Sequence, residues 1–85
     1  MKIELHRSFT KGYVKLSKKI QEKFKERRNL FIENKFHPIL NNHSVENIYP
    51  GCRSINITGD YRAIFKENAN NTIIFLVIGT HSELY

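Results

Sequence analysis

Hydrophobic residues recur at two different spacings along this chain, and the change of spacing divides it. Lys2 to His6 alternates with Ile3 and Leu5 on one side, which predicts a short strand. The spacing then lengthens. Phe9, Tyr13 and Leu16 fall on one face of a helix over residues 9–16 that Ser8 can cap. Gly12 weakens that helix by about 1 kcal/mol relative to alanine. Ser17 can cap a second, longer helix to about Asn34, with Ile20, Phe24 and Phe31 on its apolar stripe and Leu30 and Ile32 widening it. Residues 35–51 are a loop by chemistry, punctuated by His37-Pro38, Asn41-Asn42 and Tyr49-Pro50-Gly51, with room for a brief strand over Val45–Ile48. Period-two alternation returns in three strands: Cys52–Thr58, Tyr61–Lys66 and Thr72–Ile78. Gly59-Asp60 marks a tight hairpin turn between the first two, and Asn68–Asn71 turns the chain again.

These elements predict an α+β fold, β-α-α-β-β-β: a small antiparallel-type sheet with a helical hairpin on one face. Residues 1–85 read as a single domain. A chain this short buries a modest core, so a stabilising partner is expected.

Charge adds a direction to this picture. The chain carries 14 Lys plus Arg against 8 Asp plus Glu, a net charge of +6. Eleven of those bases and only four of the acids lie in residues 1–35. The basic outer face of the second helix, with Lys18, Lys19, Lys23, Lys25, Arg27 and Arg28, suits a polyanion, an acidic protein or plain solvation. Cys52 is the single cysteine, so no internal disulfide forms, and a reducing, cytoplasmic location is expected. The N-terminus lacks the apolar core of a signal peptide, and no run approaches the roughly 18 apolar residues of a membrane span. No Cys/His spacing suggests zinc, and no cofactor is expected.

The most specific signal is the tail, Gly79-Thr80-His81-Ser82-Glu83-Leu84-Tyr85, delivered by the apolar run 72–78. The order of elements, the segment 51–65 and this tail resemble the RelE/ParE superfamily of toxins. The tail is most similar to the YafQ-like branch, where glycine-threonine-histidine precedes an aromatic residue. The resemblance implies a ribosome-dependent mRNA endoribonuclease, or mRNA interferase, neutralised by a cognate antitoxin. It implies catalytic roles for His81, for Asp60 at the hairpin turn and for His43 in the polar loop. Tyr85 matches the terminal aromatic, and Arg62 follows the RelE and YoeB pattern. Asn56 departs from the YafQ-like pattern, which has another histidine there; asparagine cannot shuttle a proton.

The chemistry such an activity needs is available in these residue types. Metal-free RNA cleavage takes a base for the 2′-hydroxyl proton, an acid for the leaving 5′-oxygen and a cation for the phosphorane. Histidine titrates near neutrality, and the arginine fork matches a phosphate. Each candidate also has a plainer reading. Arg62 suits a phosphate contact or a surface ion pair, and Arg53 substrate binding or a structural salt bridge. Tyr85 suits base stacking or anchoring of the tail. Asp60 suits orientation of His81 or an aspartate bonding its own turn. Tyr61 packs or flanks the site, His37 before Pro38 is structural, and Lys18 and Lys19 would bind RNA electrostatically. Two further functions stay open: a ParE-like toxin that blocks DNA gyrase, and a degenerate toxin that binds only its antitoxin. Operator DNA would be met only through the antitoxin complex, and no membrane partner is expected.

Overall fold

A computed structural model describes residues 1–85. The elements are β1 (Lys2–Leu5), α1 (Arg7–Tyr13), α2 (Lys18–Glu33), a 3₁₀ turn (Pro38–Leu40), β2 (His43–Ser44), β3 (Arg53–Asn56), β4 (Tyr61–Asn68), β5 (Thr72–Thr80) and α3 (His81–Leu84). One five-stranded sheet has the order β1-β5-β4-β3-β2. The meander β3-β4-β5 is antiparallel as expected, and β1 joins β5 in parallel, with Ile3 beside Ile73 and Leu5 beside Phe75. The α1–α2 crossover makes that parallel return possible. No helix is long and apolar enough to cross a membrane.

The α1–α2 hairpin covers one face of the sheet. Its core is aromatic: Phe9, Phe24 and Phe31 are buried with Ile55, Ile57, Ala63, Phe65, Ile73, Phe75 and Ile78. Ring centroids of Phe9 and Phe24 lie 5.0 Å apart, and those of Phe24 and Phe75 5.3 Å apart in an edge-to-face arrangement. Ser17 caps α2 as expected, its hydroxyl accepting from the Ile20 amide at 3.3 Å. Ile32, counted with the apolar side of α2, is exposed.

Helix α1 starts two residues earlier than expected, and its cap is His6, not Ser8. The His6 Nδ1 accepts the Ser8 amide at 3.1 Å, and the Ser8 hydroxyl donates to the Leu76 carbonyl at 2.6 Å. That serine therefore ties α1 to the sheet. The expected strand over Val45–Ile48 is a turn. The amides of Ile48 and Tyr49 both donate to the Val45 carbonyl, at 2.9 and 2.8 Å, which is helical geometry and cannot join a ladder. The short strand lies just before it, at His43–Ser44.

The second face of the sheet is not bare. Val45, Cys52 and Ile64 are buried there, with Tyr49, Leu76, Val77, Leu84 and Tyr85 packed around them. A β-bulge allows this. Ile64 pairs with Val77 but Phe65 pairs with Phe75, so Leu76 is an extra residue in β5. Before the bulge Ile73 and Phe75 face the aromatic core; after it Ile78 does. Gly79 is thereby turned to the second face, where a side chain would meet Glu83 and Leu84 of α3.

Candidate functional site

Paired strand residues point to the same face, so the register fixes which side chains meet. His43 pairs with Ser54, Ser54 with Ile64, and Ile64 with Val77. One row along, Asn56 pairs with Arg62 and Arg62 with Gly79. Both rows open on the second face. There His43, Arg62, His81 and Tyr85 line one cleft of about 660 Å³, walled by the segment Asn41–Ile48 on one side and by α3 on the other.

Arg62 rises from β4 and is half-buried. Its Nη1 donates to the carbonyls of Thr58, Gly59 and Tyr61, each at 3.1 Å, so it braces the β3–β4 turn. It forms no ion pair, and its Nε and Nη2 make no hydrogen bond within the protein. A charged fork held by one arm, with its other edge unpaired, is suited to an anion.

The tail is a single helical turn rather than an extended end. Thr80 caps it: the Thr80 hydroxyl accepts from the Glu83 amide at 3.2 Å, and the Glu83 carboxylate accepts from the Thr80 amide at 2.7 Å. Those bonds from the Thr80 backbone and hydroxyl hold the Glu83 carboxyl below the usual carboxylate range. Two further bonds seat α3. The His81 amide donates to the Asp60 carbonyl at 2.9 Å, and the Tyr49 hydroxyl donates to the Leu84 carbonyl at 2.9 Å. The imidazole of His81 is exposed and packs on the Tyr85 ring at 4.6 Å between centroids. The Tyr85 hydroxyl is buried without a partner. Tyr85 thus anchors the tail and supports His81 at the same time.

Across the cleft, the His43 Nδ1 lies 2.7 Å from the Asn41 carbonyl. Glu46, on the same wall, accepts the Gly51 amide at 2.6 Å. Cys52 lies beneath this wall, and burial pushes its thiol up.

Sequence comparison now identifies the scaffold. The model of the ParE toxin of the parDE type II toxin–antitoxin system matches residues 3–85. The chain belongs to this toxin family. Solved structures agree with that. The chain is similar to YafQ from E. coli strain BL21(DE3), at 26% identity over 98% of this chain and 96% of that one, with a TM-score of 0.79. It is similar to the toxin in the E. coli DinJ-YafQ toxin–antitoxin complex, at 26% identity over 98% and 94%, TM-score 0.76. It shares its fold with a chain of the archaeal RelE–RelB complex from Pyrococcus horikoshii OT3, at 20% identity over 93% and 92%, TM-score 0.74. No match was found among functionally curated proteins.

Within this toxin, the structure brings together four of the residues singled out in the sequence and leaves five elsewhere. His43, Arg62, His81 and Tyr85 share the cleft. Asp60 sits at the exposed turn and reaches the tail through its backbone carbonyl, not its carboxylate. Tyr61 packs against the aromatic core on the far face. Arg53, paired with Phe65, also belongs to that face; it forms no salt bridge and instead donates from Nε to the Asn42 side chain at 2.7 Å, holding the loop. Lys18 and Lys19 are exposed in the first turn of α2, in the helical layer on the opposite side of the sheet. His37 is structural, as expected: its Nδ1 accepts the Ile39 amide and caps the 3₁₀ turn.

Sequence reasoning missed the scaffold of α3. Thr80-x-x-Glu83 is a capping-box pattern, legible as such. Tyr49 and Asn41 carried no comparable signal, because their roles depend on a tertiary contact and on a backbone conformation.

Proposed function

We propose that this toxin is a ribosome-dependent mRNA endoribonuclease working by acid–base chemistry. The observation that carries the reading is the cleft in which two histidines face an arginine that has no acidic partner and an unpaired guanidinium edge. The Arg62 Nε and Nη2 hydrogens would bond two oxygens of the scissile phosphate and offset the charge of the phosphorane. One histidine would take the 2′-hydroxyl proton as that oxygen attacks phosphorus. The other would protonate the departing 5′-oxygen, leaving a 2′,3′-cyclic phosphate and a 5′-hydroxyl. Tyr85 would set the ring plane of His81, and its buried hydroxyl argues for support more than for stacking on a base.

The basic outer face of α2 lies across the sheet from the cleft. It would hold ribosomal RNA while the cleft meets mRNA, with the salt dependence such contacts carry. An antitoxin is the natural inhibitor, as in the DinJ-YafQ toxin–antitoxin complex. A single cysteine, Cys52, with no partner in the chain fits a cytoplasmic setting.

A second reading is favoured by the family match itself, which is to a ParE toxin. A gyrase-blocking protein on this scaffold would need no histidine pair, and fold does not fix function. One experiment separates the two. The chain is induced without antitoxin, and mRNA 5′ ends are mapped beside a His81→Ala variant. In-frame cleavage should appear and fall about 10²–10⁴-fold in the variant. Growth arrest with intact mRNA and DNA breaks would instead establish the gyrase reading. No arrest at all would mean a degenerate toxin, with Asn56 as the first position to examine.

A further inference from the structure

The cleft histidines are not equivalent, and hydrogen bonding distinguishes them. A backbone carbonyl only accepts and a backbone amide only donates. His6 and His37 each take a backbone amide at Nδ1, from Ser8 at 3.1 Å and Ile39 at 3.2 Å. Their neutral rings must therefore carry the proton on Nε2. His43 is the reverse. Its Nδ1 lies 2.7 Å from the carbonyl of Asn41, so Nδ1 must carry the hydrogen and Nε2 must hold the free lone pair. The ring is exposed and lines the cleft.

The carbonyl is aimed by an unusual backbone. Asn41 has φ 47° and ψ 49°, the left-handed region. Its own amide closes the 3₁₀ turn on the Pro38 carbonyl at 3.1 Å, so the chain reverses there. Two residues later His43 enters β2, pinned opposite Ser54. Asparagine is one of few residues other than glycine that adopt this conformation at little cost.

We propose that Asn41 is a positioning residue: its left-handed backbone holds His43 as the Nδ1–H tautomer, so that Nε2 is the base that receives the 2′-hydroxyl proton. This rests on the endoribonuclease reading for its chemistry, but the tautomer is a property of the free protein. The division of labour follows. His43 takes the proton at Nε2, the 2′-oxygen forms its bond to phosphorus, and the 5′-oxygen leaves with a proton from His81. Each histidine ends in the other's starting state of charge. The Asn41 carbonyl, still accepting from Nδ1, stabilises the His43 imidazolium as it forms.

The test is ¹⁵N NMR of histidine-labelled protein at a pH where the rings are neutral, in the His81→Ala background so that the chain accumulates. The His43 signals are assigned by their loss in a second variant, His43→Gln. His43 should show a protonated Nδ1 and a pyridine-type Nε2, opposite to His6 and His37. Asn41→Val, whose branched side chain disfavours the left-handed region, should release the ring to a mixture of tautomers; Asn41→Gly, which keeps that backbone, should restore it. On the active chain, Asn41→Val should lower cleavage roughly fivefold to tenfold, the worth of one net hydrogen bond. The loss should lie in kcat, with Asn41→Gly recovering it. A wild-type His43 protonated on Nε2 would overturn the proposal whatever the activity. The expected tautomer together with undiminished cleavage by His43→Gln would overturn the role as base. Absence of any RNA cleavage, with the tautomer as expected, would sink the endoribonuclease reading and the role as base with it, leaving only the tautomer assignment.

Discussion

Gly79→Ala should lower activity more than stability, because a side chain at Gly79 would press against α3. A Cβ there would lie 3.2 Å from the Glu83 Oε1 and 3.3 Å from the Leu84 Cδ2. The Glu83 oxygen is not free to swing away, because the Thr80 amide holds it at 2.7 Å; the Tyr49 hydroxyl holds the Leu84 backbone through its carbonyl at 2.9 Å, and the Leu84 side chain packs on the second-face cluster. Relief therefore comes from lifting α3 outward by a few tenths of an ångström. Overpacking of this kind costs about 1–3 kcal/mol. Removing a glycine from a strand returns about 0.5–1 kcal/mol through the unfolded chain. The net loss is about 1 kcal/mol, a fall in Tm of roughly 4–8 °C for a domain of this size. The proposed mRNA cleavage should suffer more, because α3 carries His81 and leads into Tyr85. A misplacement of about 1 Å costs on the order of 100-fold, so a shift of a few tenths should cost about tenfold. Thermal unfolding followed by circular dichroism gives the first number, and cleavage in a reconstituted translation reaction gives the second. Wild-type cleavage with an unchanged Tm would refute the claim that this close approach sets the position of α3.

Two other outcomes follow from the same region. Gly12 meets the neighbouring residue Ile78 from the opposite face, but at 3.4 Å from its carbonyl oxygen, which a Cβ can tolerate. Gly12→Ala should therefore raise stability by about 0.5–1 kcal/mol, seen as a higher Tm, and leave cleavage unchanged. The Glu83 carboxyl is held low by its bonds to Thr80. Its folded pKa lies below its unfolded one, so its support of α3 is complete above the ordinary glutamate value of about 4.3 and is lost as pH falls through the depressed value. The Thr80 amide resonance should move with that titration and not at neutral pH; a Thr80 amide indifferent to acid would show that the capping box does not form in solution.

Six elements of this fold, β1, α1, α2, β3, β4 and β5, were legible because each has a local cause, whereas β2 and α3 were not. The stripe of Phe9, Phe24 and Phe31 needs only helical spacing to be recognised, and Ser17 announces its helix by chemistry that acts within three residues. The β3–β4–β5 meander follows from alternation and turn residues. His81 and Arg62 were legible as candidates because a histidine at a strand exit and an arginine mid-strand have chemistry of their own. What could not be read locally was the face on which they would meet. The cap of α1 is His6 because the helix begins at Arg7, which puts Ser8 inside the first turn, where its hydroxyl donates to the Leu76 carbonyl, 68 residues away in the chain. Arg53 and Arg62 looked alike as strand arginines, and only the register sends one to the loop and the other to the cleft.

By itself, then, the sequence determined the two main helices and the three-stranded meander, the aromatic core that joins them, and the residue types that the proposed proton transfer and phosphate binding would use. Those properties depend on spacing and side-chain chemistry within a few positions. The tertiary structure decided the site. One extra residue at Leu76 inverts the alternation of β5, turns Gly79 to the second face and sends the tail over Ile64 to face His43 and Arg62. A strand has a period of two, so a single bulge exchanges inside for outside, and nothing in the run Ile73–Ile78 marks where that exchange falls.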